Sequence, residues 1–330
     1  MPPSQLGLSR EIAIGLLQDA ILAPSSYNAQ PWYFRIRDGG IDLNADRTCA
    51  LAVNDPDDRE MTIGCGCALF NLRVAAAHAC VPIRVRLLPD SAAPDLMATI
   101  ELGSSGIVPE DLAALHPAIA KRRTHRGRFA DAAVPPEQTR RLVDAASAEQ
   151  AWLAVIGASP QSLDLRRQAG ELIAEGDATL WADASWRREQ ASWLHPRRER
   201  QGIAIPGLGA PIAQAVVRTF DLGGGVAARD RQLVDASPLL VVVGTDGDGP
   251  EHWLLAGQAL ERVLLTACSD GLQASFLNQP IVVPALRERL HRLLGTRGRA
   301  QLLLRLGQPL GESHASARRP LAEVVDVGPD

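Results

Sequence analysis

The feature that most constrains this chain of 330 residues is a weak internal duplication, three segments repeated in the same order. Leu17-Gln18-Asp19-Ala20-Ile21-Leu22-Ala23 resembles Leu142-Val143-Asp144-Ala145-Ala146-Ser147-Ala148, each closing an amphipathic helix. Gln30-Pro31-Trp32-Tyr33-Phe34-Arg35-Ile36 matches Gln150-Ala151-Trp152-Leu153-Ala154-Val155-Ile156, and both read as strands. The long helix beginning Gly66-Cys67-Ala68-Leu69 aligns with Gly257-Gln258-Ala259-Leu260, small and aliphatic residues keeping helical spacing. Strands at Ile83 to Leu88 and Met97 to Leu102 then correspond to Gln273 to Leu277 and Gln301 to Leu306. Residues 1–118 and 119–330 are therefore expected to be two copies of one fold.

The copies differ where chemistry would sit. Asp19 and Asp144 stand 125 positions apart, but Gln30 and Gln150 only 120, so the second copy lacks the five residues Pro24-Ser25-Ser26-Tyr27-Asn28. Pro24 and Pro31 hold that stretch out of a helix, while Ser25, Ser26, Asn28 and Gln30 offer hydroxyls and amides to the polar edge of a ligand. Conversely, the second copy opens on Lys121-Arg122-Arg123-Thr124-His125-Arg126-Gly127-Arg128-Phe129, where the first has only Arg10 and Glu11. Arginine suits phosphate because its planar fork donates parallel hydrogen bonds and stays charged. The second copy also carries an extra stretch, about Leu163 to Gly225, between its first strand and the core strand Ser237 to Gly244. It reads as a helix pair followed by an irregular segment broken by Gly202, Pro206, Gly207, Gly209, Pro211 and Gly223 to Gly225, and includes the basic run His195 to Arg200. Such a segment is either a lid over a site or an ordinary surface excursion.

Composition excludes several classes. A formal charge of −4 gives no general pull toward nucleic acid or an anionic membrane, and no apolar run is long enough for a span. Met1 to Arg10 lacks the pattern of a signal peptide, and a soluble cytoplasmic protein is expected. The five cysteines include no CxxC pair, so neither disulfide framework nor metal site is expected, and Cys65-Gly66-Cys67 reads as small buried thiols at the start of an apolar helix. Gly64-Cys65-Gly66 lacks the third glycine of a dinucleotide fingerprint and the lysine of a P-loop, and Gly223-Gly224-Gly225 lacks a strand-to-helix context and reads as loop. No Gly-x-Ser-x-Gly elbow is present, which leaves hydrolase chemistry unsupported. His125 and His195 read as polar surface residues rather than proton donors.

The loop Pro24 to Trp32 and the run Arg122 to Phe129 together resemble the two flavin-contacting motifs of the nitroreductase family, and length and order resemble its Acg-type branch over nearly the whole chain. The resemblance implies an α+β nitroreductase-like fold, each copy a mainly antiparallel sheet flanked by helices. It also implies FMN as cofactor and electron transfer from NAD(P)H to a small acceptor such as a nitroaromatic or quinone. Family members form dimers with flavin sites at the interface, and each motif occurs here once, on opposite copies. The implied protein is thus a fused pseudo-dimer with one complete site per chain, a monomer or a weak homodimer. Carried over by position, Arg122, Arg123, Thr124 and Arg126 would meet the phosphate and ribityl chain, with Arg318 and Arg319 as further phosphate ligands. Pro24, Ser25, Ser26, Asn28 and Gln30 would follow the ribityl and ring edge, and backbone amides at Ser275, Leu277 and Asn278 would face that edge. No residue need be a catalytic acid or base, since the chemistry resides in the flavin. A second function stays open, an FMN store without turnover, because a covering lid in the Acg-type branch is associated with blocked nicotinamide access.

Overall fold

The computed structural model describes residues 3–157, 159–195, 200–204 and 209–327; most of the basic run His195 to Arg200 lies outside them. After α1 (Pro3–Ala20), strands β1 (Trp32–Arg37) and β2 (Gly40–Ala45) form a hairpin. Its two-residue turn, Asp38-Gly39, needs a positive φ, which Gly39 supplies at 71°. The long helix α2 (Arg59–His78) and strands β3 (Ile83–Leu87) and β4 (Leu96–Leu102) complete the first unit. Short helices α3 (Glu110–Ala113) and α4 (His116–Ile119) lead into the arginine run.

The second unit begins with α5 (Pro136–Ser147) and β5 (Trp152–Ile156). There follow α6 (Leu163–Ala182), α7 (Ala184–Ser192), the short parallel pair β6 (Leu194–His195) and β7 (Ile203–Ala204), α8 (Gly209–Thr219) and α9 (Gly223–Asp235). Then come β8 (Leu239–Thr245), α10 (Pro250–Ser269), β9 (Gln273–Phe276), α11 (Gln279–Val282), α12 (Pro284–Leu294) and β10 (Arg299–Gly307). The tail returns through α13 (Leu321–Val324) and β11 (Val325–Asp326), which pairs in parallel with β1.

The sheets run β11-β1-β2-β4-β3 and β5-β8-β10-β9. With β11 set aside, each places its strands first, second, fourth, third, and every neighbouring pair is antiparallel. The chain is thus α+β. The connection that is a tight hairpin between β1 and β2 holds, among the described residues, four α-helices between β5 and β8. This corrects the reading of Gly202 to Gly225 as irregular. The insertion continues through α9 to Asp235, and Gly223 to Gly225 open α9 instead of forming a loop.

Between the sheets, α2 and α10 cross at glycines. A Cβ on Gly66 would stand 2.4 Å from the Leu254 carbonyl oxygen, and one on Gly257 would stand 2.1 Å from that of Ile63. Each glycine therefore meets the residue three positions before the other, a reciprocal contact of the kind an isologous two-fold interface makes. Cys65 and Cys67 lie inside α2, not at its start, and their thiols donate to the carbonyls of Pro31 and Gly257. Strand β8 is buried along its whole length. Leu239, Val241 and Val243 face the shared core, while Leu240 and Val242 face a second cluster containing Ala169, Leu172 and Ile173 of α6. Burial on both faces explains the continuous apolar run of that strand. Among the described residues no helix is long and apolar enough to cross a membrane.

Candidate active site

The loop after α1 is held in a costly backbone conformation. Tyr27, Asn28 and Gln30 have φ of 49°, 56° and 54°, a region rarely entered by side chains larger than glycine. Hydrogen bonds fix it: Ser25 Oγ accepts from the Gln30 amide at 2.9 Å, and Asn28 donates through Nδ2 to the Ala317 carbonyl at 3.0 Å. Ser26 donates to the Glu60 carboxylate at the start of α2, so the loop is braced against that helix.

The arginine run reaches the same place from the second unit. Thr124 pairs with Ala274 of β9, and the His125 amide donates to the Ala274 carbonyl at 2.9 Å. Arg122 is buried and stands 3.3 Å through Nε from Glu261 Oε1 on α10. Burial raises the Glu261 pKa to about 7, against the opposing pull of Arg122 and Arg318. Arg318 joins this cluster from the tail; burial and then the charge of Arg122 push its pKa down to about 9. The charges of Arg122 and Arg123 act on Arg318 in the same direction as burial and only Glu261 opposes them, so cations outnumber the buried acid here. A cluster this rich in cations favours an anion nearby.

The cavity where these segments meet has a volume of about 480 Å³. Pro24, Ser25, Ser26 and Asn28 line it, as do Arg122, Arg123, Thr124, Arg126, Ser275, Asn278 and Arg318. Three residues expected there are elsewhere. Gln30 is fully buried beside it, donating to the Arg200 carbonyl at 2.9 Å and accepting from the Arg319 amide at 2.7 Å. Arg319 is spent on Asp46, at 2.8 Å. Leu277 packs in the second apolar cluster, and its amide already donates to the Leu303 carbonyl at 2.9 Å.

The arginines of the cavity are unequal. Arg318 donates to the carbonyls of Ile21, Leu22 and Ala23, satisfying the chain end of α1, so it contributes charge more than free N–H groups. Arg122 donates to the Leu22 carbonyl as well. Arg123 spends one nitrogen on the Arg122 carbonyl. Arg126 has an exposed side chain and no hydrogen bond or ion pair among the described residues. His125, contrary to expectation, is buried: Nε2 contacts the Arg128 carbonyl at 2.9 Å and Nδ1 contacts Ser313 Oγ at 2.6 Å. It braces the run. The side chain of His195 lies outside the described residues.

Sequence reasoning left the insertion as either a lid or a surface excursion and named none of the wall residues that it and α2 supply. Asp177, Leu180 and Trp181 of α6, Trp186 and Gln190 of α7 and Val226 of α9 all line the cavity. Tyr27 donates to Gln190 Oε1 at 2.8 Å, and Trp186 Nε1 donates to Asn54 Oδ1 at 3.0 Å. The Glu189 carboxylate accepts from the amides of Val53 and Asn54 at 2.9 and 2.8 Å. Further along, the Gly202 amide donates to the Asn28 carbonyl at 3.3 Å and Gln201 to that of Ala29 at 2.6 Å. Burial, followed by the charges of Glu60 and Glu189, holds the Tyr27 pKa well above its ordinary value, so this phenol remains a donor. The signal available beforehand was the stripe Ala169, Leu172, Ile173, Gly176, Asp177, Leu180, Trp181 at helical spacing, with an acid set in it.

No protein-family model matches the chain. Over 314 residues it is 30% identical to the Mycobacterium tuberculosis protein named "Putative NAD(P)H nitroreductase Rv3131", covering 93% of this chain and 89% of the relative. The chain belongs to the nitroreductase family. A second relative from that organism, "Putative NAD(P)H nitroreductase acg", is 28% identical over 326 residues, covering 97% of both. Among solved structures, oxidized iodotyrosine deiodinase bound to FMN and 3-iodo-L-tyrosine is 15% identical over 62% of this chain and 95% of its own, with a TM-score of 0.42. The FMN-dependent nitroreductase NfnB from Mycobacterium smegmatis in complex with NADPH is 14% identical over 64% and 97%, with a TM-score of 0.41. The family assignment rests on the sequence relatives.

Proposed function

We propose that this nitroreductase binds one FMN per chain in the described cavity and transfers electrons from NAD(P)H to a small acceptor such as a nitroaromatic or quinone. The observation that carries the reading is that the Pro24 to Asn28 loop of one unit and the Arg122 to Arg126 run of the other, each present once, line a single cavity. The residues suit the group. A volume of about 480 Å³ lies within the range of small-molecule sites. Arg126 and Arg123 hold free N–H groups for a phosphate, reinforced by the charges of Arg122 and Arg318. Ser25, Ser26, Asn28, Ser275 and Asn278 offer polar atoms for a ribityl chain and ring edge, and Ile63, Leu260 and Leu302 offer apolar surface to a flat ring. FMN, when bound, supplies the hydride and electron chemistry. The protein binds, orients and excludes water, and the two units act as a fused pseudo-dimer whose other pseudo-symmetric position lacks both motifs.

A specific observation also favours the second reading, an FMN store. The insertion acts as a lid, hydrogen-bonded to the flavin loop through Gln190 and Gly202 and to the 53–54 loop through Glu189. Nicotinamide must displace or pass this cover. Anaerobic mixing of the FMN-loaded protein with NADPH separates the two: bleaching of the flavin absorbance is expected of the oxidoreductase, and a spectrum unchanged by excess NADPH would leave the store.

A further inference from the structure

The α6 stripe carries a carboxylate to which the proposed flavin site assigns no role. Asp177 is 2% exposed and lines the cavity, one helical turn before Trp181. Its helix approaches α11 closely, since a Cβ on Gly176 would stand 2.8 Å from the Gln279 Cβ. Gln279 Nε2 donates to Asp177 Oδ1 at 3.1 Å and to Asp230 Oδ2, from α9, at 2.7 Å. When both acids are ionised they accept only from an amide nitrogen, which fixes the orientation of that side chain. The consequence is a pair of stranded acceptors: Asp177 Oδ2 and Gln279 Oε1 are buried without a hydrogen-bond partner among the described residues, and both residues line the cavity. A buried acceptor without a donor bears its desolvation cost uncompensated.

The charge that acts on Asp177 is that of a second acid, Asp230, which a bound cation would offset. Burial and then the Asp230 carboxylate raise its pKa to about 7, while Arg229 and Arg305 act on Asp230. The arginines at the phosphate end do not figure among the charges acting on Asp177. Trp181 and Trp186 form an edge-to-face pair with ring centroids 5.5 Å apart and line the same cavity, with Phe276 nearby. An acid beside aromatic rings is the combination that holds a protonated amine on a ring system.

We propose that the acceptor taken by this site is an aromatic molecule bearing a protonated amine, whose N–H groups pair with Asp177 Oδ2 and Gln279 Oε1 while its ring lies against the tryptophan wall. This rests on the cavity being the flavin site only in calling the ligand an electron acceptor. Bringing a cation to Asp177 favours its ionised form, so affinity rises with pH through about 7 while the amine stays protonated.

The test uses the FMN-loaded protein at about pH 8 and three probes, para-nitrobenzylamine, para-nitrobenzyl alcohol and para-nitrobenzoate. Binding is read by titration calorimetry, and flavin content is measured on the same samples. The amine is expected to bind about tenfold more tightly than the alcohol, as a charge-assisted hydrogen bond gives, with the benzoate weakest. Asp177→Asn, nearly isosteric, is expected to erase the preference while retaining its flavin. Equal affinities in the wild type, or a preference that survives in Asp177→Asn, would overturn the inference. A protein that prefers the amine but holds no flavin would instead sink the flavin reading alone.

Discussion

Residues that bear the same charge in one cavity do different work, and their partners decide which. Arg126 has no partner to lose among the described residues, so Arg126→Ala is expected to weaken FMN binding about tenfold or more, since one charge-assisted phosphate contact is worth about 1.5–3 kcal/mol. Its unfolding midpoint should not move. Arg122→Ala should instead destabilise the fold by about 3–5 kcal/mol, because it leaves Glu261 buried beside a vacated ion pair; parallel denaturant titrations distinguish the two. Acids have their own signature. The pKa of Asp177 is raised to about 7, so between roughly pH 4 and pH 7 the unfolded chain releases its proton while the folded chain keeps it. Stability from this group is full below pH 4 and declines as pH rises. Asp177→Asn is therefore expected to raise the melting temperature above pH 7, by about 2 °C per kcal/mol, and to leave it unchanged below pH 4. Sequence exposed the arginines as a cluster but not their inequality. That Arg318 and Arg319 are consumed by the carbonyls of Ile21 to Ala23 and by Asp46 depends on where the tail crosses the first unit, which no local pattern encodes.

At the scale of elements, the aligned helices and strands fall close to where their periodicity placed them, because their apolar faces are continuous and long. The long helices meet at Gly66 and Gly257, and a side chain at Gly257 would collide with the Ile63 carbonyl. Gly257→Ala should cost about 3 kcal/mol through overpacking. Gly15→Ala, where a Cβ on α1 meets nothing within 4 Å, should gain about 0.5–1 kcal/mol from helix propensity. Urea denaturation of both variants checks the pair; an equal response would show that the crossing tolerates separation. The insertion was the least legible element. Its glycines and prolines read as breaks, yet Gly209 opens α8 and Gly223 to Gly225 open α9, with the backbone held by tertiary contacts that override weak local propensity. Which of its residues face the cavity was not legible, because Asp177, Trp181 and Trp186 gain meaning only when α6 and α7 fold back over the first unit.

Across the whole molecule, two motifs that each occur in one copy only line a single cavity. The asymmetry between the copies was readable in the sequence, as five residues missing from one copy and a basic run missing from the other. The identity of the acceptor was not, because the cavity walls come from elements far apart in sequence. The flavin-to-chain ratio of the purified protein, taken from its absorbance after saturation with FMN and removal of excess, reports whether that cavity is the one flavin site. One FMN per chain is expected; a colourless protein that takes up none, or a chain that holds two, would contradict it.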